Sequence, residues 1–243
     1  MRYKSGIAIL AALACTTLTA ATATASNAPE MAAKQALGVD VSNHNGSVDF
    51  KKVKASGRTF SFVLASDGKS FSNKLFKSQY SGAAKAGLIH GAYHYARPNQ
   101  SSAAQQAKRF LGIANYKHDG KTLPPVIDLE PGGANGCYGK SAKQIKSWIT
   151  AFDKVVKDQT KHNAIIYTNP GFWSKCTGNS KGFTGNPLWV ASWGVSKPQQ
   201  VGGWKGYTFW QYSDSGKVPG VSGKTDLDKF SGSSAELKKF AEK

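Results

Sequence analysis

Acidic side chains are scarce in this chain, with 14 Asp and Glu against 32 Lys and Arg. That imbalance favours polyanionic partners such as nucleic acid, anionic membrane or acidic wall polymers. The lysines are scattered rather than blocked. No recognition helix, RNA-binding signature or zinc-finger spacing accompanies them, so a nucleic-acid role would rest on charge alone and is not expected. Long apolar runs are also missing. Ile7–Leu13 is too short to span a bilayer and no later stretch reaches about 18 apolar residues, which excludes a spanning helix. Cysteine is limited to three residues, and no His stands at ligand spacing from Cys137 or Cys176, so neither a metal nor a cofactor is expected. Neither G-x-S-x-G nor H-E-x-x-H occurs, which removes the common serine and zinc hydrolases. "GGANGCYGKS" ends like a phosphate loop, but Ala134 stands where the first glycine is required.

What is present begins with an export pattern. Arg2 and Lys4 precede Ile7–Leu13, and Ala23-Thr24-Ala25 fits the small-x-small cleavage rule. Residues 1–25 therefore read as a signal peptide and the product as secreted and extracellular. A lipid anchor on Cys15 is disfavoured, because "ALAC" matches that pattern poorly. Residues 26–37 read as a short leader and 38–243 as a single domain, expected to be a monomer. Removing Arg2 and Lys4 leaves 30 basic and 14 acidic residues, a net charge of +16. In an oxidising compartment Cys137 and Cys176 read as one disulfide.

Strand-like segments recur at residues 38–42, 59–66, 88–96, 123–130, 163–169, 187–193, 207–212 and 225–230. Helical periodicity fills the early gaps, at 50–56, 74–86, 102–114, 141–160 and near 171–175. Ile145, Trp148, Ile149, Phe152 and Val156 form the clearest apolar stripe, opened by the capping box "SAKQ". Alternating strand and helix argues a parallel sheet with right-handed crossovers. Eight strands in this length suggest a compact barrel whose last three strands have lost their helices; a doubly wound open sheet is the alternative.

"PPVIDLEPGG" (124–133) then stands out in so acid-poor a chain. Pro124 and Pro125 suit a strand mouth, and Pro131-Gly132-Gly133 ends the strand. Asp128 and Glu130 are two positions apart, so they share one side of the strand with Cα atoms roughly 6.5–7 Å apart. Side by side, one of them should hold its proton to higher pH than a free carboxyl. A protonated acid beside an anion is the equipment of glycosidic cleavage. In a barrel, Asp40 of the first strand and Asp226 of the eighth would join them, because every strand delivers its C-terminal end to one face. Taken singly, Asp40 also reads as a turn former or helix cap, and Asp226 as the partner of a nearby lysine.

Aromatic residues collect near the same ends, and their flat faces suit sugar rings, although core packing accounts for part of the set. The expected sugar-binding residues are Tyr93, Tyr95, Tyr167, Trp193, Trp210 and Gln211. Tyr93 and Tyr95 alternate with His94, so either set faces the barrel interior; His94 reads as a structural hydrogen-bonder.

Together, "GVDVSNHNG" (38–46), "GAYHYARP" (91–98), "PPVIDLEP" (124–131), "PLWVASW" (187–193), "FWQYSDSGKVPGVSG" (209–223) and "TDLDKF" (225–230) resemble the Chalaropsis-type lysozymes, glycoside hydrolase family 25. The resemblance runs in order through about residues 37–231. It implies an α/β fold, a modified flattened (β/α)5(β)3 TIM-like barrel. It also implies hydrolysis of the β-1,4 bond between N-acetylmuramic acid and N-acetylglucosamine in bacterial peptidoglycan. The family's Asp-x-Glu motif falls on Asp128-Leu129-Glu130, with Glu130 as general acid and Asp128 assisting, and its first- and last-strand aspartates fall on Asp40 and Asp226. After the second strand the family favours Lys and a Thr/Ser-Glu-Gly triplet, where this chain has Leu64 and Ser66-Asp67-Gly68. Asp67 is therefore left out of the expected core site. A non-catalytic wall-carbohydrate-binding protein on the same scaffold is the alternative, with Asp128 and Glu130 then lacking a use.

Overall fold

The structure is a computed structural model that describes Met1 and residues 34–243. The expected signal peptide, beyond Met1, and most of the leader lie outside the described residues. The elements in chain order are β1 (Gln35–Val41), α1 (Phe50–Ala55), β2 (Phe60–Asp67), the two-residue β3 (Phe71–Ser72) and α2 (Phe76–Lys85). They continue with β4 (Ile89–Tyr95), α3 (Ala103–Ala114), β5 (Val126–Leu129), α4 (Ala142–Thr160), β6 (Ile165–Thr168) and α5 (Pro170–Thr177). The last are β7 (Leu188–Ala191), β8 (Phe209–Gly216), β9 (Thr225–Ser233) and α6 (Ser234–Ala241). Each of the eight expected strands is found. The first begins at Gln35, so Gln35, Ala36 and Leu37 belong to β1 and not to a leader.

The strands close into a ring in the order β1-β2-β4-β5-β6-β7-β8-β9, with β9 returning to β1. Five strand–helix pairs are followed by three strands without crossover helices, as the pattern of periodicities implied. The fully parallel ring expected from the sequence is not what forms, because β9 runs antiparallel to both β8 and β1. The segment joining β8 to β9 spans only residues 217–224, enough for a hairpin and too short for the dozen or more residues a parallel crossover needs. Asp226 consequently reaches the barrel mouth from the beginning of its strand, not from its C-terminal end.

Strand alternation sorts the side chains into two cores. Phe60, Phe62, Tyr93, Val126, Ile165, Trp189, Phe209 and Phe230 point into the ring and pack on one another. Gly38 leaves the space on β1 that the Phe60 ring fills. Val39, Val63, Ala92, Ile127, Ile166 and Val190 point outward and meet the helices, including Ile145, Ile149, Phe152 and Val156 of α4. Reciprocal caps start α3 (Ser102 with Gln105) and α4 (Ser141 with Gln144). Two further elements lie outside the expected set. β3 is a two-residue ribbon on β2, and α6 packs Leu237, Phe240 and Ala241 against the inner cluster. α6 carries its own signal, a capping box of Ser233 and Glu236.

Candidate active site

Strand direction, not sequence proximity, assembles the site. Asp40 near the end of β1, Asp128 on β5, Glu130 just beyond it and Asp226 near the start of β9 all line one cleft of about 520 Å³ at the barrel mouth. Tyr93, Tyr95, Tyr167, Trp193 and Gln211 of the expected sugar-binding set line it too. Trp210 is not brought there. Phe209 and Gln211 take the inward positions of β8, so alternation turns Trp210 outward, where its indole donates to the Ser192 carbonyl at 2.7 Å and packs with the outer core. The same rule places Tyr93 and Tyr95 inside and His94 outside. His94 is buried between the Ser66 hydroxyl and the Gln106 carbonyl, each at 2.9 Å, and burial lowers its pKa to about 4. It is a neutral structural hydrogen-bonder.

Asp128 is buried, and its Oδ1 has no hydrogen-bond partner among the described residues. Burial, followed by the neighbouring Glu130 charge, raises its pKa well above the usual carboxylate value. Glu130 is less enclosed. Burial raises it as well, and the hydroxyls of Tyr167 and Tyr95 and the Arg97 charge oppose that rise. Neither acid forms an ion pair among the described residues. Each acid of the pair therefore holds its proton to higher pH than a free carboxyl does.

Gln211 organises the opposite side. Its amide nitrogen donates to Asp40 Oδ2 at 2.9 Å, while its carbonyl accepts from the Tyr167 hydroxyl at 2.9 Å and the Trp193 indole at 3.0 Å. These partners fix the amide's orientation and tie an exposed rim tryptophan to a buried acid. Behind Asp40 lies Asp228, which the sequence reading passed over. It is fully buried, one oxygen accepts from the Trp189 indole at 2.9 Å, and the other has no hydrogen-bond partner among the described residues. Burial and then neighbouring acids raise both Asp40 and Asp228, and burial raises Asp226 to about 6.

Asp67 is committed elsewhere. Arg97 grips its two oxygens at 2.7 and 2.8 Å and lays its guanidinium 4.2 Å from the Tyr95 ring centre. No spacing rule in the sequence could have linked those residues across 30 positions, although both line the cleft. The expected disulfide between Cys137 and Cys176 is formed. It ties the loop that follows Glu130 to α5.

Residues 39–221 match the family description Glycosyl hydrolases family 25. Lysozyme M1 of Streptomyces globisporus is 43% identical over 204 residues, covering 82% of this chain and 69% of that protein. The N,O-diacetylmuramidase of Chalaropsis sp is 40% identical over 185 residues, covering 73% of this chain and 88% of that protein. The crystal structure of a bacterial lysozyme from Streptomyces coelicolor superposes with a TM-score of 0.83 at 40% identity, covering 86% of this chain and 98% of that one.

Proposed function

The chain belongs to glycosyl hydrolases family 25, and from that premise we propose that it is a secreted lysozyme. It cuts the β-1,4 bond between N-acetylmuramic acid and N-acetylglucosamine in bacterial peptidoglycan. Glu130 is the general acid and Asp128 assists it, with Asp40 and Asp226 completing the acidic site. The carrying observation is that Asp128 and Glu130 face one sugar-sized, aromatic-walled cleft with both carboxyls raised by burial and, among the described residues, no ion pair to either.

The chemistry follows from the orphaned oxygen of Asp128. An acetamido N–H of the bound saccharide fills that acceptor and favours the ionised form of Asp128. The proton then resides on Glu130, which delivers it to the departing glycosidic oxygen. Anionic Asp128 holds the acetamido group and stabilises the positive charge growing at the sugar carbon; water then adds to that carbon and gives up a proton to Glu130, which restores the acid. Tyr93, Tyr95, Tyr167, Trp193 and Gln211 supply the faces and hydrogen bonds that hold the rings. The export pattern and the Cys137–Cys176 bridge together support an extracellular site of action. Surface charge would bring the enzyme to a wall carrying anionic polymers.

Glu130→Gln is expected to abolish clearing of a cell-wall suspension while leaving the melting temperature unchanged within about 2 °C. Full activity in that variant would refute the assignment. Borohydride reduction of fragments from the native enzyme identifies the bond: reduced muramic acid is expected, and reduced glucosamine would move the cut to the other side.

A further inference from the structure

Only three large apolar side chains among residues 34–243 are exposed: Trp193 at 51%, and Phe71 and Val195 at 44% each. Trp193 and Phe71 line the same cleft, and Val195 stands two residues from Trp193. Trp193 follows β7, and Phe71 sits on the ribbon attached to β2. In the closed ring of eight strands, β2 and β7 are four places apart, on opposite walls. The β5 acids and the acids of β1 and β9 occupy the two remaining sides.

We propose that the cleft takes a glycan strand laid from the Trp193 wall to the Phe71 wall, with Phe71 as the stacking platform for a sugar distant from the scissile bond. This rests on the carbohydrate reading of the site and adds its direction and length. A strand crossing in this sense passes between Asp128–Glu130 and Asp40–Asp226, which brings a glycosidic bond alongside the proposed general acid.

Phe71 does not earn its place in the fold. It belongs to neither core cluster, and an exposed ring on a two-residue strand adds little stability. The ribbon beneath it is nevertheless firmly held. One Arg109 nitrogen donates to the Ser70 carbonyl at 2.7 Å and the Ser72 hydroxyl at 2.6 Å. The Lys69 amide donates to Gln100 at 3.1 Å, and the Asn73 amide to the Ala65 carbonyl at 3.1 Å. Trp193 is fixed in its turn by Gln211. An indole and a ribbon backbone held before anything arrives lose little freedom on binding, which is how a preorganised site gains affinity. Beside Phe71, the Asp67–Arg97 pair presents polar edges suited to hydroxyl groups.

The test uses the full chain carrying Glu130→Gln, so that glycans bind without being cut. Peptide-free wall glycans, a disaccharide and an octasaccharide, are titrated by calorimetry and by tryptophan fluorescence. Adding Phe71→Ala is expected to weaken octasaccharide binding about tenfold and disaccharide binding by less than about twofold, with Phe71→Tyr restoring the difference. Adding Trp193→Ala should weaken both. Unchanged octasaccharide affinity in Phe71→Ala, or an equal loss for the disaccharide, would overturn the role of Phe71 while leaving the lysozyme reading standing. Failure of the Glu130→Gln parent to bind either glycan would overturn both.

Discussion

Asp40, Asp226 and Asp228 crowd three carboxyl groups onto the seam between β1 and β9, and burial is the main cause raising each of them. With one oxygen of Asp228 lacking any N–H donor and Asp40 beside it, a proton held between the two carboxyls is the arrangement that satisfies both. The folded state therefore keeps protons that the unfolded chain has released. Stability is fully present below the ordinary carboxylate value and falls as pH rises through the raised values, a window running for Asp226 from 3.8 to about 6. Asp228→Asn should flatten that decline. Its amide nitrogen can donate to Asp40 while its oxygen keeps the Trp189 bond. We expect a higher melting temperature than wild type at pH 7, by about 2–4 °C for each kcal/mol recovered, and no gain at pH 4. Thermal melts across that range decide it; a variant less stable at both pH values would count against a shared proton. Asp228 was legible in principle. The two-residue spacing that picks out Asp128 and Glu130 applies equally to Asp226 and Asp228 in "TDLDKF". The same rule shows why Trp210 and Gln211, being adjacent in a strand, do not both reach the cleft. Long-range pairings such as Asp67 with Arg97 leave no local trace.

At the level of elements, apolar periodicity located every barrel strand and the five crossover helices, because each buries one face against a neighbour. Direction was harder. Nothing in the alternation of β9 distinguishes parallel from antiparallel, and only the short connection from β8 carries that information. β3 is too brief to show a period at all. The segment after β5 has no regular strand or long helix to hold it, yet it carries Glu130 and must not drift. The bridge from Cys137 to Cys176, separated by 39 positions, is its anchor to α5. Cross-linking a loop of that length is worth about 4 kcal/mol by chain entropy. Replacing both cysteines by serine should lower the melting temperature by roughly 8–16 °C on that figure. Wall clearing, measured well below the new transition, should fall as well; undiminished activity would mean the loop is held without the bridge.

Across the whole molecule, charge is divided. Asp40, Asp67, Asp128, Glu130, Asp214 and Asp226 line the cleft and Asp228 lies behind it, which is half of the chain's 14 acids. Among the described residues Arg97 is the only lysine or arginine lining it, and Asp67 occupies that charge. The lysines are left to the exterior, so the surface is more basic than the net charge alone conveys. Attraction of this kind is screened over about 10 Å at 0.1 M salt and about 3 Å at 1 M. Raising the salt should therefore slow clearing of intact walls carrying anionic polymers, with less effect on a short soluble glycan free of those polymers; equal inhibition of both would remove the electrostatic role.

Closure of the ring carries one more consequence. β1 is clasped by β2 on one side and by β9 on the other, and the acidic site draws on β1, β5 and β9 together. A nascent polypeptide lacking β9 has no seam to seal and no complete set of acids. Because β9 follows every other barrel strand in chain order, the constellation of carboxyls comes into being only when that strand docks against β1, so a partly folded barrel cannot hold it.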